Sequence, residues 1–100
     1  PLPRLNQQPA SDHAVRFAGE IVGMDTSTDD IYSAHVEGTI VNIGGTTTLI
    51  ESAVTNKATQ FTPTVAIAAD DTNDALSITV TGASTNTCRY WLHLHTAEVG

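Results

Sequence analysis

One hundred residues carrying a formal net charge of −7 suffice for one small domain without disulfides, and not for two independent cores. The fixed cations are Arg4, Arg16, Lys57 and Arg89, scattered along the chain, which excludes the basic patch that nucleic-acid binding requires. No apolar run approaches the roughly 18–20 residues of a membrane-spanning helix, and the N-terminus lacks the charged-then-apolar order of a signal peptide.

Aromatic residues are few (Phe17, Tyr32, Phe61, Tyr90 and Trp91), while Val, Ile and Thr abound, so the expected core is thin, β-branched and in need of an oligomeric partner. Cys88 is the only cysteine, which rules out an intrachain disulfide or a multi-cysteine zinc site and fits synthesis in a reducing cytosol. Pro1 reads either as the mature start of a short protein or as the first residue of a trimmed fragment.

Residues 1–12, with three prolines and no periodicity, read as an extended arm. The arm is either a frayed terminus or a strap whose Leu2 and Leu5 dock on a neighbouring subunit. Residues 13–100 form the predicted β domain. From His13 to Met24 the β formers are interrupted by Gly19 and Gly23, which predicts a strand with a bulge or bend and Phe17 as its core anchor. Asp25–Asp30 is a polar turn. Ile31–Ile43 follows as a long strand that buries Tyr32, Ala34, Val36 and Ile40 and turns Ser33, His35, Glu37 and Thr39 outward.

Gly44-Gly45 marks a turn, Thr46–Thr55 another strand, and Asn56–Pro63 a longer connection suited to crossing between sheets. Val65 and Ile67 alternate into the acidic turn Asp70–Asp74, and Leu76, Ile78 and Val80 alternate out of it, the signature of a hairpin. After Gly82–Asn86 the last strand runs from Thr87 to about Val99. It places Cys88, Tyr90, Leu92 and Leu94 on one face and Arg89, Trp91, His93 and His95 on the other. Spacing two throughout, with turn residues every ten to fifteen positions, predicts an all-β antiparallel sandwich or jelly roll.

His93 and His95 have the only metal-ligand spacing in the chain, and His35 joins them if its strand is a neighbour. On a three-fold axis they would staple a trimer; otherwise they are polar residues on an outward strand face. Trp91 marks a subunit interface or a sugar-stacking platform. Asp25, Asp29 and Asp30, and Asp70, Asp71 and Asp74, carry the oxygen ligands calcium takes, and equally the side chains that make turns. Glu20, Glu37 and Glu51 lie within strands, where solvated positions are a better account than a glycosidase pair. No catalytic residue, no cofactor and no enzyme activity is expected, since neither a nucleophile elbow nor a phosphate-cradling loop is present.

The stretch Ala69–Gly82, followed by Cys88-Arg89-Tyr90-Trp91 and the ending Thr96–Val99, resembles β-rich modules of tailed-bacteriophage structural proteins. These include C-terminal pieces of tail fibres and tailspikes and small decoration-type proteins. Val36–Thr48 looks like the preceding hairpin of such modules. The resemblance implies a structural protein located in the virion, assembled as a homo-oligomer, a trimer first, and partnered by other virion proteins. The alternative it implies is a receptor- or glycan-binding module contacting a host-surface glycan. Neither nucleic acid nor membrane is an expected partner, and the resemblance carries no functional residues over to this chain.

Overall fold

The computed structural model describes residues 12–82 and 87–99, and among these residues there is no helix. Six antiparallel strands follow in order: β1 His13–Asp25, β2 Asp30–Ile43, β3 Thr46–Thr59, β4 Thr64–Asp70, β5 Ala75–Thr81 and β6 Cys88–Val99. Four make one sheet in the order β3-β2-β1-β6, and β4-β5 makes a separate two-stranded sheet. The last strand therefore returns to lie beside the first, and among the described residues β3 and β6 are the edge strands.

The alternation predicted for β2 is met: Tyr32, Ala34, Val36 and Ile40 are completely buried. Val15, Phe17 and Ile21 of β1 lie on the same face, and the β4-β5 hairpin covers it with Val65, Ile67, Leu76, Ile78 and Val80. Each fully buried large side chain contributes about 1.5–3 kcal/mol, so this face holds most of the stabilising apolar burial. The chain connects the layers through residues 60–63. The crossing expected over Asn56–Pro63 is thus shorter, because β3 continues pairing with β2 as far as Thr59.

The bulge expected at Gly19 and Gly23 is not there. β1 pairs without a register shift with both β2 and β6, and the irregularities lie instead between β2 and β3, near Ser33/Ala34 and Thr39/Ile40. The β1 glycines answer to space, not to bending: a Cβ on Gly23 would come within 2.7 Å of the Tyr90 ring, which lies over it. In the same way the Phe17 ring covers Gly38, its direct partner on β2. Large side chains shielding cross-strand glycines give a β-branched core its few aromatic anchors.

Two hairpins share one turn chemistry. In Asp25–Asp29 the Asp25 Oδ1 accepts from the Ser27 N–H at 2.9 Å; in Asp70–Asp74 the Asp70 Oδ1 accepts from the Asn73 N–H at 3.1 Å. Each turn ends on an aspartate in the left-handed region, Asp29 at φ 60° and Asp74 at φ 51°. The third hairpin, β2-β3, turns through Gly44 and Gly45 at φ 62° and 84°, the pair of left-handed positions that a two-residue hairpin loop requires.

The tip of β4-β5 is also clamped to the large sheet. The Thr47 N–H donates to Asp71 Oδ1 at 2.7 Å, the Thr47 hydroxyl donates to Asp74 Oδ1 at 2.9 Å, and Asn42 Nδ2 donates to the Thr47 hydroxyl at 3.0 Å. Thr47 and Asn42 are buried, so each lost partner leaves a desolvated polar group. Asp71→Ala is expected to cost about 1–3 kcal/mol, read as a lowered urea midpoint without a change in slope. An unchanged midpoint would mean that the clamp does not hold the layers together.

Candidate functional site

Among the described residues, the face of the four-stranded sheet turned away from the hairpin carries the cross-strand charged groups and most of the exposed large apolar side chains. The strand registers arrange this face in rows. Trp91, Val22 and Ser33 form the first; His93, Glu20, His35 and Thr55 the second; His95, Ala18, Glu37 and Ala53 the third. Ala97, Arg16, Thr39 and Glu51 form the fourth, and Val99, Ala14, Val41 and Thr48 the fifth.

The middle rows are cross-linked by charge. Arg16 reaches Glu37 at 2.7 Å and Glu51 at 2.5 Å, and the Thr39 hydroxyl donates to Glu51 at 2.7 Å. His35 Nδ1 lies 2.8 Å from Glu20 Oε1, and its Nε2 lies 3.7 Å from Glu37 Oε1. All these groups are partly exposed, so solvent screens each pair and their role is to order the face. The three glutamates singled out in the sequence are thus accounted for by cross-strand contacts, Glu37 and Glu51 with Arg16 and Glu20 with His35.

The hydrogen bond from Glu20 raises the His35 pKa above its ordinary 6.5, opposed by partial burial and supported by the charges of Glu20 and Glu37. A raised folded-state value means that this stabilisation is full below 6.5 and is lost as pH rises through the folded value. Glu20→Gln is expected to bring the His35 titration back toward 6.5, followed by its imidazole proton resonances. A curve that does not move would assign the shift to something other than Glu20.

His93 and His95 sit on this face as expected, their rings edge to face with centroids 5.0 Å apart. His35 does not join them, because β1 stands between β2 and β6. Among the described residues no group of three or more His, Cys, Asp or Glu is arranged to hold a metal ion. The Asp25 and Asp70 clusters make the turns and clamps described above. Asn73 hydrogen bonds, side chain first, hold the Asp70 carboxyl below the usual carboxylate range.

Apolar surface occupies both ends of the same face. At one end Trp91, 76% exposed, borders a shallow cleft of about 230 Å³ with Val22, Met24, Ile31 and Arg89. At the other, Ala14, Val41, Ile43 and Val99 line a cleft of about 300 Å³. Val22, Met24, Ile43 and Val99 are all substantially exposed. Leu2 and Leu5 lie outside the described residues. Sequence reasoning singled out Trp91 and the histidines but passed over Arg16 and the Val41–Val99 end. Strand alternation marks these residues as outward, while the pairing that gathers them is long-range.

Comparison with protein-family models, with curated proteins and with solved structures finds no match to this chain.

Proposed function

We propose that this chain is a non-enzymatic structural subunit of a bacteriophage virion, a decoration or tail-fibre-associated module that works as a homo-oligomer and is anchored by its N-terminal arm. The observation that carries the reading is the outer sheet face, where large apolar side chains are exposed at both ends of an ordered ion-pair network. Monomeric domains seldom leave such side chains together on one surface, whereas assembly subunits need them. The virion location is proposed on the sequence resemblance of Ala69–Gly82 and Cys88–Trp91 to phage structural modules alone. The two-stranded layer over the four-stranded sheet is read as the reduced second sheet of a sandwich or jelly roll.

Deleting residues 1–12 tests the anchoring. The shortened chain is expected to keep the circular-dichroism spectrum of a β domain and to be lost from purified particles. Incorporation at the full-length level would rule the arm out as the anchor.

A second reading, a host-glycan-binding module, is favoured by one observation: Trp91 stands exposed beside the Arg89 cleft, an aromatic platform next to a hydrogen-bond donor. A glycan array probed with the native chain and with Trp91→Ala separates the two readings. This one predicts binding that the substitution abolishes, and equal signals from both proteins would remove Trp91 from consideration.

A further inference from the structure

We infer that the outer sheet face is a two-fold contact between copies of this chain, in which Trp91 of each copy lies against the Val99 end of the other. The inference rests on the structural-subunit reading only in expecting a partner copy. The contact is tested on purified protein, so its failure is distinguishable from a failure of particle incorporation.

The registers define the symmetry. In the five rows, Trp91 and Val22 stand two rows from Ala18 in one direction, and Val99, Ala14 and Val41 two rows in the other. Glu20 and Arg16 stand one row from Ala18, again on opposite sides. A two-fold axis lying across the strands through the Ala18 row exchanges the two directions and keeps each strand over its own copy. It lays the apolar end with Trp91 on the apolar end with Val99, and Glu20 of each copy over Arg16 of the other.

One operation therefore lays apolar surface on apolar surface at two related sites, and sets Glu20, already bound to His35 of its own chain, over Arg16, already bound to Glu37 and Glu51 of its own, so that the apolar ends carry the contact. Two sheets packed face to face stand about 10 Å apart, which leaves room for the outward side chains of both. The Val99 end is an open surface formed by Ala14, Val41 and Ile43 with Asp12 and His13 beside them, against which the face of an indole ring can lie.

Size agrees with this occupant. The domain extends 48 by 21 Å in its two longer dimensions, enough for the roughly 800 Å² per partner that a standard interface buries. In the axial row Glu37 faces Glu37, and each is held by Arg16 of its own chain at 2.7 Å, which offsets the like-charge contact. His95 faces His95 in the same row. The axis passes at Ala18, where a small side chain permits close approach.

Trp91 is the only tryptophan, so the contact reports on itself. Sedimentation equilibrium and tryptophan emission are measured on the full chain over one dilution series. The expected result is a monomer–dimer equilibrium in which emission shifts to the blue as dimer forms and iodide quenching falls in step. Trp91→Ala, a centre of buried contact, is expected to weaken association by at least about thirty-fold. Val99→Glu, at a position 72% exposed and so harmless to the fold, is expected to remove the dimer and leave Trp91 emission at its monomer position.

In a Cys88→Ser background, Ala18→Cys is expected to cross-link to its own copy through a bismaleimide spanning roughly 10 Å. A chain monomeric up to about 1 mM, at the weak end of specific association, overturns the inference. So does an oligomer whose Trp91 stays fully quenchable, or a trimer.

Discussion

Phe17→Ala is expected to lower the stability of this domain by about 3–5 kcal/mol, the range for truncating a fully buried aromatic side chain. Phe17 is completely buried among Val15, Ile40 and Leu76, and its ring covers Gly38, which has no side chain to close the gap. Neighbouring side chains cannot collapse into the space, since Gly38 sits in the middle of β2 and is paired on both sides. The loss therefore falls at the upper end of the range. It is a large part of the roughly 5–15 kcal/mol available to a domain of this size and lowers the melting temperature by some 15–30 °C. A calorimetric scan of the variant measures it, and a drop of only a few degrees would mean that the Phe17–Gly38 contact is not a centre of the core.

Gly19→Ala is expected to reverse the usual sign of a glycine replacement. Within a strand alanine is ordinarily favoured over glycine by about 0.5–1 kcal/mol, because it loses less backbone entropy on folding. At Gly19 an added Cβ meets the carbonyl oxygen of His93 on β6, and the Leu94 side chain at 2.9 Å. The first of these is backbone and cannot swing aside, so β6 must move off β1 along the middle of their shared ladder. The expected result is a net loss of several kcal/mol, as for other small-to-large changes that displace backbone. Faster amide hydrogen exchange should concentrate in β6. Equal or higher stability would show that the β1 and β6 backbones leave room for a Cβ at Gly19. Because β6 carries Trp91, His93 and His95, the same substitution is expected to disturb the outer face, whereas Phe17→Ala acts on the buried one.

Strand alternation was legible in the residues themselves. In the middle of β2 Tyr32, Ala34, Val36 and Ile40 are apolar and buried while Ser33, His35, Glu37 and Thr39 are polar and outward, because a strand projects successive side chains to opposite faces and water sorts them. The hairpin turns were legible for a similar local reason: Gly44-Gly45 and the two aspartate-rich loops carry the residues that adopt left-handed backbone or accept hydrogen bonds from their own turn.

What the sequence could not show was which strands become neighbours. The pairing of β6 with β1 joins residues more than sixty positions apart, and no local pattern encodes it. It is favoured because Tyr90 and Leu94 lie over the bare backbone of Gly23 and Gly19, a fit of shape that exists only once the strands are side by side. For that reason the two glycines read as bend signals in the sequence and prove to be sites of close approach.

The same pairing sets His35 two strands from His93 and puts Glu20 between them, so that an imagined ligand trio becomes a row of alternating imidazole and carboxylate. Composition and alternation determined that the chain makes antiparallel strands with one apolar face, because burial of apolar surface follows directly from residue order. Only the tertiary structure decided that Arg16, Glu20, Trp91 and Val99 share the opposite face. Their positions there follow from long-range strand order, which is set by packing across the whole sheet.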